Sequence, residues 1–333
     1  MTLSFASNTP YKRSVVSALL AALISVLAIP VQADDAYPSR PVIMVVPFAA
    51  GGASDVIARL VADQMSASLG QRVIIENVPG AGGSIGMARA ARATADGYTI
   101  SIGNAGTNTA VYTIYPDVKF TPDDFIPLGM VAKTSPIIAI RKNHPAKTLR
   151  EFLDYAKNNP GKVTLGHAGV GSSNYLICKA FVRAANIDVT LVSYRGGGPA
   201  LQDLIGGQID GVCDNAASVA PSIQSDLTNG LALAMPRRLH SLPNVPTTVE
   251  AGLPEFQLQG WNSLFAPKGT PQPVVARLNA ALRKGVANEN YQKRLDDLGS
   301  LVPSDEEMTP EYVRLFIPKE IQKFRELLVE AKK

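Results

Sequence analysis

Short apolar runs alternate with stretches of helical spacing along most of the chain. Residues 41–46 are a continuous apolar run, the pattern of a buried strand, and a glycine turn follows, Pro47-Phe48-Ala49-Ala50-Gly51-Gly52-Ala53-Ser54-Asp55. Val56, Ile57, Leu60, Val61 and Met65 then recur at helical spacing, with Ser54 or Asp55 placed to cap the helix. A second strand is predicted over 72–76, a second glycine-rich turn over 77–86, a helix over 87–92 and a third strand over 98–102. That βαβαβ order implies a parallel sheet with right-handed crossovers.

The same design then returns. Apolar runs at 125–130 and 137–140 lead into a second lobe, and Thr148 with Glu151 three residues on reads as a capping box for a helix through Tyr155. A strand over 162–166 meets the turn His167-Ala168-Gly169-Val170-Gly171-Ser172-Ser173-Asn174, and a helix over 175–185 follows. The next strand, 189–193, leads through Tyr194-Arg195-Gly196-Gly197-Gly198-Pro199 into another helix. The strand at 209–213 ends at Asp214-Asn215. Residues 231–234 read as a strand returning to the first lobe, and 257–266 as an extended segment with the only tryptophan, Trp261. Helices over 273–286, 289–298 and 309–331 carry much of the charge and are expected to form an outer layer on lobe one. The fold class is therefore α/β in two lobes: 34–134 and 237–333 form the first, and 135–236 the second. A glycine and serine turn in each faces a cleft between them.

Composition narrows the function. The 333 residues suit two lobes, and 46% hydrophobic with 18% charged residues is a globular balance. The net charge of +4 arises from 32 basic and 28 acidic residues that are scattered rather than blocked, which argues against nucleic acid as a partner. Lys12 and Arg13 precede an apolar run over 15–31, and Val31-Gln32-Ala33 fits a small-x-small cleavage box. Residues 1–33 thus read as a signal peptide cleaved after about Ala33, and the mature chain as exported to the periplasm. Cys178 and Cys213 are compatible with a disulfide or with two buried thiols. His144, His167 and His240 lack metal-ligand spacing, so no metal and no cofactor is expected.

The turn at 77–86 fails the dinucleotide fingerprint, because the sixth position from Gly80 is Ile85 and the turn follows the second strand. Ser172 and Ser173 occupy a strand–turn–helix, yet Gly171-Ser172-Ser173-Asn174 is not a Gly-x-Ser-x-Gly elbow. A secreted serine hydrolase using Ser172 or Ser173, with His167 and Asp214 nearby, is the alternative to a binding protein. Neutral donors at helix N-termini can hold a carboxylate without a buried lysine. Asn104 and Thr107 follow the third strand at its carboxyl end, where ligands of open α/β sheets bind. Asp55 reads as a helix cap or a ligand contact, Arg195 as a lobe-bridging residue or a clamp, and Asp214 as a loop anchor or a contact.

These residues also carry a resemblance. Pro-x-x-x-Gly-Gly-x-x-Asp at 47–55, Asn-x-x-Gly-Ala-Gly-Gly at 77–83 and Gly-x-Gly-Ser at 169–172 are motifs of the Bug family, the TctC-like periplasmic receptors of tripartite tricarboxylate transporters. Tyr194-Arg195-Gly196, Asp214-Asn215, Leu242-Pro243-Asn244-Val245-Pro246-Thr247 and Ala266-Pro267-Lys268-Gly269-Thr270-Pro271 match in the same order. The resemblance implies a periplasmic-binding-protein clamshell that captures a small organic carboxylate, does no chemistry, and acts as a monomer beside membrane transporter subunits. It points to Phe48, Ala49, Gly52, Ser54 and Asp55 from lobe one, and to Gly169, Gly171, Ser172, Ser173 and Asn174 from lobe two. Ala49-Ala50 stands where the family often has proline, and Asn174 where histidine is common, which bears on the ligand's identity.

Overall fold

The computed structural model describes residues 1–3 and 37–330. The expected signal peptide and its cleavage box lie outside the described residues.

Two five-stranded mixed sheets organise the chain. The first takes β1 (Val42–Val46), β2 (Val73–Asn77), β3 (Thr99–Asn104), β4 (Phe125–Thr134) and β10 (Gly260–Pro267) in the order β2-β1-β3-β10-β4. The second takes β5 (Pro136–Arg141), β6 (Thr164–His167), β7 (Thr190–Ser193), β8 (Gly211–Asn215) and β9 (Thr228–Leu233) in the order β7-β6-β8-β5-β9. In each sheet the three strands that alternate with helices are parallel, as the βαβαβ reading predicts. The remaining two break that pattern: β10 runs antiparallel between β3 and β4, and β5 antiparallel between β8 and β9.

The helices are α1 (Ala53–Leu69), α2 (Ser84–Ala91), α3 (Val111–Ile114), α4 (Leu149–Asn158), α5 (Ser173–Ala185), α6 (Gly197–Ile205), α7 (Ala216–Gln224), α8 (Gln272–Val286), α9 (Glu289–Asp297) and α10 (Pro310–Glu330). The Thr148 side chain caps α4 by accepting from the Glu151 N–H at 3.2 Å, as its spacing implies. A π-helical turn, Gly106–Ala110, runs into α3, so the Asn104 segment leads into helix rather than loop. At α1 the N-cap is Gly52; Ser54 and Asp55 sit inside the first turn instead of capping it.

Two expectations about lobe two need correction. β9 does not return to the first lobe: it pairs with β5 in the second sheet. The proline-rich loop after it also stays there, since Leu239, Leu242 and Val245 pack with Ile137 and Val219, and Leu253 and Phe256 with Phe181. These buried apolar anchors outweigh the loop's polar appearance in the sequence. The chain therefore crosses back near Gly260 rather than at 236. There Gly260 pairs with Thr134, so both crossings lie side by side.

Candidate functional site

The two turns singled out by the sequence face one another. Both follow the first parallel strand of their lobe, β1 and β6, and both open a helix that covers the sheet. Between them lies a small cavity lined by Phe48, Gly52, Ala53, Ser54, Asn104 and Thr134 on one side and by Ala168, Ser173, Asn174, Gly197 and Asn215 on the other. Trp261 and Asn262 of β10 complete it. It offers only about 20 Å³ to the centre of a water molecule, roughly one water's worth. A roomier groove of about 590 Å³ lies beside Arg89, Tyr115 and Lys119, and no residue of either turn lines it.

The cavity is small because the lobes are shut. The Ala49 N–H donates to the Arg195 carbonyl at 3.1 Å, the Tyr115 hydroxyl to the Val170 carbonyl at 2.9 Å, and the Ser218 hydroxyl to the Gly51 carbonyl at 3.4 Å. Glycines permit this approach: a Cβ on Gly52 would stand 3.2 Å from the Gly197 nitrogen. An organic acid can enter the cavity only if these contacts part.

The electrostatics rest on backbone. The first residues of α1 (Ala53, Ser54), of α5 (Ser173, Asn174) and of α6 (Gly197), and the N-cap of α7 (Asn215), all line the cavity. Four helix N-termini thus aim partial positive charge at one small volume. Among the described residues no Lys, Arg, Asp or Glu lines it; the polar side chains are amides and hydroxyls.

The other candidates stand behind this lining. Asp55 is 2% exposed and accepts from the Gly51 N–H (3.0 Å), Arg59 Nε and Nη2 (3.0 Å each) and Asn77 Nδ2 (2.8 Å). Burial pushes its pKa up, but those hydrogen bonds and the Arg59 charge outweigh it and hold the carboxyl below its usual range. Asp55 pins the first turn. Ser172 caps α5, its Oγ accepting from the Tyr175 N–H at 3.1 Å, and Thr107 Oγ1 accepts from the Asn104 N–H at 3.0 Å. Gly169 and Gly171 take φ of +107° and +85°; the Gly169 N–H donates to His167 Nδ1 at 3.2 Å. Burial lowers the His167 pKa to about 4, so the ring is a neutral buttress under its own turn. Ser173 Oγ lies 3.4 Å from Asn174 Oδ1, so the hydrogen bonds of both serines run elsewhere than to His167. Ala49 and Arg195 bridge the lobes through backbone, with the Arg195 side chain exposed.

Asp214 is 1% exposed behind Gly197. Its Oδ1 accepts from the Asn215 N–H at 2.7 Å, while Oδ2 has no partner among the described residues. Burial raises its pKa to about 6, against the lowering influence of Asn215, Asn174 and Ser218. Cys178 and Cys213 form a disulfide that ties α5 to β8, one residue before Asp214.

Comparison with known proteins places this architecture. The sequence model of the tripartite tricarboxylate transporter family receptor, TctC, matches residues 57–330. The chain belongs to the TctC family. Among solved structures it is similar to the periplasmic binding protein BugD, at 36% identity and a TM-score of 0.86 over 89% of this chain and 99% of that one. It is similar to MatC from Rhodopseudomonas palustris with bound malate, at 38% identity and 0.83 over 87% and 99%. A second R. palustris protein, solved with adipate, matches at 28% identity and 0.84 over 89% and 98%. The expected two-lobed periplasmic-binding-protein fold of the Bug type is therefore that of this TctC receptor, and these relatives are solute-binding proteins rather than enzymes.

Thr134, Asn215, Trp261 and Asn262 line the cavity without having been singled out as ligand contacts. Asn215 could have been found as the residue after Asp214 at a strand's carboxyl end. Asn262 carries no local signal, because it enters the first sheet from more than a hundred residues downstream of β3 and β4.

Proposed function

We propose that this TctC receptor captures a small organic carboxylate in the cavity between the turns at 48–55 and 168–174, and delivers it to a membrane transporter of the tripartite tricarboxylate type. The observation that carries this reading is the convergence of four helix N-termini on a cavity lined by neutral donors. Such a site favours an anion and offers its oxygens oriented N–H and O–H groups. The malate and adipate in the two R. palustris proteins are acids of this kind. On this reading residues 37–134 and 260–330 move as one lobe against the other, hinged at the paired Thr134 and Gly260 crossings. The chain acts as a monomer, exported to the periplasm after cleavage near Ala33.

A thermal-shift screen of mono-, di- and aromatic carboxylates tests it, followed by calorimetry on the hits. A ligand at a hundred times its Kd should stabilise by about 2.7 kcal/mol and be recovered unchanged. A screen in which no carboxylate moves the melting temperature would sink the proposal. So would ester turnover that disappears in Ser172→Ala or Ser173→Ala.

A further inference from the structure

We propose that the Ser54 hydroxyl is the donor that fixes the ligand's carboxylate, and that Asn104 and Asn262 act through it as positioning residues, turning its hydrogen into the cavity. This rests on the reading of the cavity as a carboxylate site. A serine hydroxyl has one hydrogen to give and two lone pairs to fill. Ser54 Oγ accepts from Asn104 Nδ2 at 3.2 Å and from Asn262 Nδ2 at 3.0 Å, which fills both. Its hydrogen goes to no acceptor among the described residues, and Ser54 lines the cavity.

The orientation of both amides is set by backbone. Asn104 Oδ1 accepts from the N–H groups of Gly106 (2.9 Å) and Thr107 (3.2 Å), so its NH₂ must face Ser54. Asn262 Nδ2 also donates to the Gly103 carbonyl at 3.4 Å. The two asparagines are direct cross-strand partners on β3 and β10, with 4% and 2% exposure. They bracket a serine held in the first turn of α1.

A free hydroxyl turns to suit whatever arrives. This one can only donate, so it prefers an oxygen that carries charge and rejects an N–H in the same place. A carboxylate should therefore bind more tightly than its primary amide, whose carbonyl can take the same hydrogen but carries no charge.

The probe is the tightest binder among malate, succinate, adipate and benzoate, titrated by calorimetry. Ser54→Ala should weaken it tenfold or more, and Ser54→Thr, which keeps the hydroxyl, should stay within about threefold. Asn262→Leu, which keeps the branched outline of the side chain and removes the amide, should weaken wild type by a similar factor yet change nothing further in the Ser54→Ala background. A merely structural asparagine would lower affinity in both backgrounds. Asn104 is not used, since its loss strands two backbone N–H groups. Independent, multiplying losses for Ser54→Ala and Asn262→Leu would overturn the inference. So would a folded Ser54→Ala that binds as tightly as wild type, and that result would leave the carboxylate site standing. Wild type that binds none of the four acids removes the site and this inference with it.

Discussion

Gly198→Ala separates closure of the lobes from their folding. Gly198 sits in the first turn of α6, and its φ lies outside the left-handed range, so its backbone accepts a side chain. The three atoms nearest an added Cβ all belong to the opposite lobe: the Ala50 carbonyl oxygen, the Ala50 carbonyl carbon at 3.1 Å and the Gly51 carbonyl carbon at 3.2 Å. The oxygen falls well inside van der Waals contact, and it is backbone that cannot swing aside. Within lobe two the methyl meets nothing comparable, and alanine in place of a helical glycine contributes up to about 1 kcal/mol to helix stability. The variant should thus melt at or above the wild-type temperature without ligand. It should nonetheless fail to shut, because more than an ångström of separation is forced between the turn at 49–52 and α6. A ligand that must bridge both turns then loses at least one charge-assisted bond, about 1.5–3 kcal/mol or ten- to hundredfold in affinity. Calorimetry measures the affinity, and small-angle scattering with saturating ligand measures the radius of gyration, which should stay larger than that of the wild-type complex. Wild-type affinity together with a wild-type compact complex would refute the reasoning, since the ligand-bound state would then not use the lobe contact seen here.

Three further predictions follow from buried groups. Asp214 has a folded pKa of about 6 against an ordinary 3.8, so it destabilises the fold fully above pH 6 and not at all below 3.8. Asp214→Asn should therefore stabilise the protein at pH 7 by up to about 3 kcal/mol, and by nothing near pH 3.5, in urea melts across that range. His167 works in the opposite sense: its pKa of about 4, below the ordinary 6.5, contributes stability above pH 6.5 that is lost as pH falls towards 4. Between pH 4 and 6 the two oppose each other, so Asp214→Asn should also steepen the rise of stability with pH; an unchanged slope would count against the assignment. Removing the disulfide with Cys178→Ala and Cys213→Ala opens a cross-link between residues 35 apart. The chain-entropy account predicts a loss of about 4 kcal/mol, visible as a lower urea midpoint that reducing agent no longer shifts. Asp55→Asn turns an NH₂ towards Arg59 or the Gly51 N–H and should cost about 2 kcal/mol at pH 7. Because the folded carboxyl titrates below its ordinary 3.8, that difference should vanish as pH falls through the folded value. A constant difference down to pH 2 would show that the charge is not what holds the turn.

The parts of this molecule legible in the chain are those where local pattern and tertiary role coincide. An apolar run followed by a glycine turn and a 3.6-residue period could hardly be anything but β1 into α1 or β6 into α5, and both copies lie where that reading puts them. Reading failed where the pattern was weak or the decisive partner was distant. α7 is built largely of Ala and Ser with Pro221 inside it, so it has no amphipathic contrast to detect. Gly106–Ala110 has turn-forming composition, yet buried backbone N–H bonds to Asn104 Oδ1 and Thr107 Oγ1 wind it into a helical turn. β9 and the loop after it carry apolar residues that suit either sheet, and only packing against Ile137 and Phe181 decides between them.

The site divides along the same line. Gly52, Ser54, Ser173 and Asn174 could be placed on the cavity wall from sequence because backbone geometry and helix N-termini leave a mark in local sequence. Asp55, Ser172, Thr107 and His167 belong to the same turns, but their polar atoms are taken up by backbone and side-chain bonds that hold those turns in shape. Local sequence marks a turn without saying which of its polar groups face outward. Asn262 is the sharper case, since its role depends on β10 inserting antiparallel beside β3 and setting Asn262 opposite Asn104. No window around residue 262 contains that fact. If the Ser54 hydrogen is aimed by this pair, the most selective donor in the cavity is specified by a strand pairing between residues 158 positions apart, and an isolated first lobe lacking β10 would keep the serine and lose its direction.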